Sequence, residues 1–375
     1  MRIAVIKESR NNETRIAVSS ETVKKLKALD FEIIIEKNAG MSSGISDEDF
    51  INVGAQIAQS PQETIQNADI ILKVQTPTQE EINLFKEGQI LISSLNPFKY
   101  KEEINNLTEK GVICFAMDFM PRISRAQSMD VLSSQSNLAG YKAVVDAASE
   151  FTKVFPLMMT SAGTVPAAKV LILGAGVAGL QAIATAKRLG AIVYAFDVRP
   201  AVKEQVESLG GRFVEVKANI DAETAGGYAK EMDEDYKRRQ SEAIAEQIKK
   251  SDIVISTALI PGKPAPKLIT EEMVKSMQAG SVIVDLAVEA GGNCALSECG
   301  KIVEKYNVKI MGHENLPARL SIAASALYAK NLYNFISTFV KDKKFQLDWD
   351  DELVKGSCIA KDKKIIHPLL APLTP

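Results

Sequence analysis

The chain has 375 residues, of which 46% are hydrophobic, so it can bury a sizeable core, and its length fits two globular domains better than one. Lys and Arg (45) nearly cancel Asp and Glu (47), and no basic block with interleaved aromatics occurs. That balance excludes the electrostatic footprint of a nucleic-acid binder and leaves a small ligand as the expectation.

The chain starts directly with a strand-like run, MRIAVIKES. This leaves no room for a secretory or transit segment, so a cytoplasmic location is expected. Short β-branched runs (RIAVI, EIIIE, DIILKV, QILISS, VICFAM) then alternate with helix-like segments such as SSETVKKLKAL and TQEEINLFK. This rhythm predicts a parallel sheet with helical crossovers. The stretch PRISRAQSMDVLSSQSNLAG, residues 121–140, gathers Arg122, Arg125, Gln127 and Asp130 just ahead of a helical pattern. Composition alone reads it as a helix cap with a surface ion pair. From Ser134 to Lys153, apolar Leu138, Tyr141, Val144, Val145 and Ala148 recur at helical spacing and predict one long helix leaving the first domain.

A second alternating unit begins at KVLILGAGVAG and continues through AIVYAFD, GRFVEV, DIVISTAL, SVIVDLAV and VKIMGH. Within it Gly174, Gly176 and Gly179 follow a strand and open a helix, and Asp197 ends the next strand roughly 20 positions on. That context is the signature of a dinucleotide site. Gly174 permits the tight turn, Gly176 lets backbone approach a pyrophosphate, and Gly179 lets helix and strand pack closely. The helix N-terminus offers N–H groups to the phosphates. Asp197 is placed to accept both adenosine ribose hydroxyls and to repel a 2′-phosphate, which favours NAD over NADP; Arg199, two residues later, is the complication. Loops after later strands should meet at the carboxyl edge of the sheet, making Ala258, Leu259 and Asn315 candidates for the nicotinamide end.

Between Lys217 and Lys250 a charged run with an Ala-Gly-Gly-Tyr centre reads either as a flexible flap or as an exposed helical excursion. After Pro317, RLSIAASALYAKNLYNFISTFV has helical spacing and can return the chain to the first domain. The expected fold is therefore α/β, with two Rossmann-like parallel-sheet domains joined by long helices. The first comprises residues 1–134 and 318–375, and the NAD-binding domain, residues 135–317, is inserted in it. The tail DDELVKGSCIAKDKKIIHPLLAPLTP is charged, then proline-rich, and reads as a peripheral end. Four sparse cysteines (Cys114, Cys294, Cys299, Cys358) match no common zinc spacing, so reduced thiols and no metal site are expected.

Oxidation of an alcohol or amine usually needs a general base, most often histidine, because a proton leaves with the hydride. This chain offers only His313 and His367. The scarcity points away from ordinary hydroxy- or amino-acid oxidation.

The motifs PRISRAQSMDVLSSQSNLAGYKAV, GAGVAG with Asp197, ETAGGYAKEMDE, TALIPGKPAP and VDLAVEAGGNC together resemble the NAD(H)-binding components of proton-translocating NAD(P) transhydrogenases, over essentially the whole chain. Alanine dehydrogenase is a more distant likeness. The resemblance implies direct hydride transfer between NADH and NADP⁺ held by a partner subunit. Neither ring then gains or loses a proton, so the protein's task is proximity and orientation. The same resemblance implies a loop over the bound nucleotide in which Arg122 and Asp130 pair, Gln127 bridges towards the partner's nucleotide, and Asp130 and Ser133 hold the carboxamide. It adds Ser128, Met129, Val177, Val198, Arg199, Gly227, Ala258 and Leu259 to the cofactor-binding set. As partners it implies a second copy in a homodimer, a membrane-spanning subunit that couples proton translocation, and an NADP(H)-binding beta subunit. The chain would then lie at the inner membrane only through those subunits.

Against alanine dehydrogenase, the substrate-binding Arg and Lys have counterparts in Arg15 and Lys73. The catalytic His falls on Asn96, which cannot titrate, and the catalytic Asp falls on Glu289. An alanine dehydrogenase-like oxidoreductase and a non-catalytic NAD-binding module remain the alternatives.

Overall fold

A computed structural model describes residues 1–216, 234–260 and 262–373. The chain forms two compact units, Met1–Gln135 with Ala318–Pro375, and Ser136–Pro317. The first carries strands β1 (Arg2–Val5), β2 (Glu32–Glu36), β3 (Gln56–Ala58), β4 (Ile70–Leu72), β5 (Ile90–Ser93) and β6 (Ile113–Ala116). The second opens with a short hairpin, β7 (Met158–Thr160) and β8 (Gly163–Val165). It continues with β9 (Lys169–Leu173), β10 (Ile192–Phe196), β11 (Arg212–Phe213), β12 (Ile253–Ser256), β13 (Val282–Asp285), β14 (Lys301–Lys305) and β15 (Val308–Gly312). The returning chain adds a hairpin, β16 (Val340–Lys341) and β17 (Lys344–Phe345), then β18 (Cys358–Lys361) and β19 (Lys364–Ile365).

The sheet of the first unit runs β19-β18-β6-β5-β4-β1-β2-β3, and that of the second β11-β10-β9-β12-β13-β15-β14. In each, the first strand sits at the centre, its chain successors lie to one side and later strands to the other. The switch falls between β1 and β4 in the first sheet (Ile3 opposite Ile70) and between β9 and β12 in the second (Leu173 opposite Ser256). A crevice opens at such a switch, beyond the carboxyl ends of the strands.

Parallel strands covered on both faces must be apolar on both, which is why RIAV, IIL and KVLIL are nearly continuous hydrophobic runs. In β9, Val170 and Ile172 enter one core while Leu171 and Leu173 enter another on the opposite face. In the first unit Ile3 and Val5 enter one core, and Ala4 and Ile6 the other. Each sheet is thus sandwiched, giving the mixed α/β, doubly Rossmann-like architecture.

Two local expectations change. The long helix begins at Val131 rather than Ser134 and ends at Glu150. Asp130 explains the earlier start, because its Oδ1 accepts the Ser133 amide (2.9 Å) and its Oδ2 the Ser133 hydroxyl (2.6 Å), the arrangement of an N-cap. The tail is no peripheral end either. Cys358–Lys361 adds to β6 as an antiparallel strand, and Cys358, Ile359, Ala360 and Leu370 are buried. Only three apolar residues make that strand, and the flanking lysines and aspartates hide it in the sequence. No described helix is long and apolar enough to cross a membrane.

Candidate functional site

In the second unit the turn after β9 is tight. The strand ends at Leu173 and a helix, Val177–Arg188, begins four residues later. Gly174 sits at φ +100°, where a side chain is strained, and a Cβ there would lie 2.6 Å from Thr257 Oγ1. At Gly179 a Cβ would overlap the Gly174 carbonyl oxygen, and at Gly140, in the helix Val131–Glu150, it would overlap the Ala178 carbonyl oxygen. Close approach therefore explains Gly174, Gly179 and Gly140. Gly176 is different, since a Cβ there would meet nothing within 4 Å. No protein atom asks for that glycine, and the room beside it is what a phosphate approaching the backbone needs. Gly176 is also the N-cap of the helix and makes no side-chain cap, so the N–H groups of the first turn, from Val177 on, face outward for an anion.

Asp197, at the end of β10, is buried, and its carboxylate is fully engaged. Oδ2 accepts the Ala175 amide (2.7 Å) and Arg199 Nη2 (2.9 Å), while Oδ1 accepts the Arg199 amide and Arg199 Nε (both 2.9 Å). Asp197 thus ties the glycine turn to the end of the neighbouring strand. Continued strand alternation would point Arg199 elsewhere; instead the chain bends after Val198 and folds the guanidinium back on Asp197. Tyr236, in the helix Glu234–Ile248, lies within range of the same carboxylate; burial chiefly, and then the Asp197 charge, push its phenol pKa above the ordinary range. Gly227 lies outside the described residues, as does the Ala-Gly-Gly-Tyr centre of the charged run.

The loop after β12 carries Ala258 and the exposed Leu259, and two side chains that sequence reasoning did not single out hold it. Thr257 Oγ1 donates to the carbonyls of Leu173 (3.3 Å) and Gly174 (3.1 Å), joining β12 to the glycine turn. Fully buried Asn293 accepts the Ala258 amide at 3.1 Å and donates to the carbonyls of Ala258 and Pro266 at 2.8 Å. Asp285, also buried, accepts the amides of Ala287 and Cys294 and the Ser297 hydroxyl, which shapes the next loop. The Asn315 amide donates to Glu289 Oε1 at 3.0 Å. The only sequence signal for Asn293 is its place after Gly291 and Gly292.

The first unit holds the other set. Residues Ser124–Met129 form a short 3-10 helix, and the Ser128 carbonyl accepts the side-chain amides of Asn331 (2.8 Å) and Asn334 (2.9 Å). Arg122 and Gln127 are exposed, Arg125 pairs with Asp351, and the Met129 side chain is buried in the core. Backbone is therefore the portion of Met129 that a ligand can meet. At the carboxyl ends of β1 and β4, buried Arg15 is held by Glu13 (Nη2 to Oε2, 2.6 Å) and Gln135 (2.8 Å), and buried Lys73 by Glu81 (3.1 Å) and Glu8 (3.3 Å). The two ion pairs connect, because Gln75 donates its side chain to Glu13 and its backbone amide to Glu8. Burial raises the Glu8 pKa. For Glu13, bonds from Arg15 outweigh burial and hold its pKa down to about 2. Asn96 stands at φ +39° with its amide on Asp118 Oδ2 (2.9 Å), and burial raises the Asp118 pKa to about 6.

Residues 4–139 match the family model for the alanine dehydrogenase/PNT N-terminal domain and residues 143–368 that for the alanine dehydrogenase/PNT C-terminal domain. The chain is 55% identical, over 99% of its length and 99% of the relative's, to the first of the chains that make up NAD(P) transhydrogenase subunit alpha in Rhodospirillum rubrum. It superposes on a crystal structure of transhydrogenase from Sinorhizobium meliloti with a TM-score of 0.90 and 49% identity, covering 98% of this chain and 100% of that one. An L-alanine dehydrogenase structure shares the fold at a TM-score of 0.84 and 24% identity, covering 100% and 99% of the two chains.

Proposed function

The chain belongs to the alanine dehydrogenase/PNT family, whose domains bind nicotinamide nucleotides, and from that premise we propose that it is the NAD(H)-binding component of a proton-translocating NAD(P) transhydrogenase. The observation that carries this reading is the turn Gly174–Gly179, where close packing accounts for two glycines and open space beside an uncapped helix N-terminus accounts for the third. There the pyrophosphate of NAD(H) meets backbone N–H groups. Asp197 takes the adenosine ribose, its negative charge opposing a 2′-phosphate. The loop fixed by Thr257 and Asn293 lines the nicotinamide end through Ala258 and Leu259. When bound, the cofactor supplies the hydride.

The residues of the chain have the task of holding the ring rigidly. Gln127, Asp130 and Ser133 orient the carboxamide, and Arg122 steadies their loop. The acceptor is NADP⁺ on a partner subunit, and the membrane subunit couples the transfer to proton movement. A second copy of the chain completes a homodimer. Direct transfer exchanges a hydride between two C4 atoms and needs no general base, which is consistent with Asn96 at the alanine dehydrogenase histidine position.

The test is to mix the purified chain with the NADP(H)-binding component of a transhydrogenase and follow transfer from NADH to an NADP⁺ analogue. Transfer that needs both components is expected. Steady oxidation of NADH with pyruvate and ammonia by the chain alone would instead establish an alanine dehydrogenase. Gln127→Asn should slow the transfer while leaving NADH affinity nearly unchanged.

A further inference from the structure

The Asp197 carboxylate offers about four lone-pair directions, and in this structure four donors occupy them. Two are backbone amides, Ala175 and Arg199, fixed by the turn and the strand end. The other two are Nε and Nη2 of the Arg199 guanidinium, one on each oxygen, both at 2.9 Å. A vicinal ribose diol presents the same pattern, two adjacent donors facing two carboxylate oxygens. Both side chains are largely shielded, with 16% of Arg199 and 6% of Asp197 exposed, so the pair is more than a transient surface contact.

We propose that Arg199 is an internal competitor for the adenosine ribose, its guanidinium standing where the 2′- and 3′-hydroxyls bind, so that the nucleotide enters by exchanging it off Asp197. Arg199 thus sets affinity as a positioning residue that opposes the ligand. This deepens the NAD(H) reading above and rests on it. Exchange leaves the two backbone amides in place, so Asp197 keeps its orientation while its outward lone pairs change partners. The charge also changes. Paired with Arg199, Asp197 is neutralised; once the arginine has left, its negative charge is restored beside the ribose, where it disfavours a 2′-phosphate.

Calorimetric titration of the full chain with ADP and with 2′,3′-dideoxyadenosine 5′-diphosphate tests this. The two ligands carry the same phosphates, so any attraction between Arg199 and phosphate cancels in the ratio of their dissociation constants. In Arg199→Ala the ratio, dideoxy over ADP, is expected to rise roughly three- to ten-fold, the worth of a partly exposed bidentate pair. Arg199→Gln, which keeps the side-chain length without the fork, reads the same quantity should the alanine variant fail to fold. A ratio that is unchanged or falls overturns the proposal. Wild-type chain that binds neither ADP nor NADH would defeat the NAD(H) reading itself, whereas binding with an unchanged ratio would defeat only the role of Arg199.

Discussion

The two sheets share a strand order through their first five strands and differ most where that order switches. Beyond β9 the second unit turns in four residues, uses glycine throughout the turn and leaves open space at Gly176. Beyond β1 the first unit runs on through a long loop before its next helix, Ser20–Ala28. It fills the corresponding edge with its own ions, Glu8, Glu13, Arg15, Lys73 and Glu81. The same topology thus yields an open crevice in one unit and a self-satisfied one in the other. Topology places an edge; side-chain volume and charge decide whether a ligand can use it.

The sharpest way to break the comparison is to empty the filled edge. Glu13→Ala leaves the Arg15 guanidinium buried without its main partner, and chemical denaturation should show a loss of about 3–5 kcal/mol. NADH affinity of the folded fraction should stay within about two-fold, since the loss acts on folding rather than on the glycine turn. Acid unfolding sharpens the same point. Glu13 has its pKa lowered from the ordinary 4.5 to about 2, so its stabilising contribution is fully present above pH 4.5 and is lost as pH falls towards 2. Glu13→Gln should therefore flatten the stability profile across that window, measured as melting temperature against pH.

In the second unit, filling the turn has the next largest effect. Gly179→Ala drives a Cβ into the Gly174 carbonyl and should cost about 3 kcal/mol in denaturant unfolding, with NADH binding lost. Asn293→Ala removes three hydrogen bonds that hold the 258–266 loop and should cost about 2 kcal/mol, with weaker NADH binding by fluorescence titration. Gly176→Ala is the smallest in stability, about 0.5 kcal/mol, because its Cβ meets no protein atom. NADH binding should nevertheless fall sharply in that variant. Unchanged binding would remove the reason for calling that space a phosphate site.

Some of this is legible directly in the sequence. The glycine turn is, because its demands are local, a positive φ at Gly174 and a contact five residues away at Gly179. The buried strands are, because parallel pairing requires apolar residues on both faces. Apolar spacing places the start of the long helix three residues late, at Ser134, because the first turn is set by the cap at Asp130 rather than by a buried face. The strand at Cys358–Lys361 is hidden because its partner, β6, is more than two hundred residues away and its own apolar run is only three residues long.

By itself, then, the sequence determined the two-layered α/β plan, the glycine turn and the scarcity of proton-transfer groups, since each follows from residue type and short-range spacing. Tertiary structure alone decided which charges meet. That Glu13 answers Arg15 and Gln135 completes it, that Asn293 pins Ala258, and that the Arg199 guanidinium turns back onto both oxygens of Asp197 depend on where backbone directions bring distant or bending segments. Hydrogen bonds and ion pairs act over a few ångströms and demand geometry, and no pattern along the chain encodes that geometry.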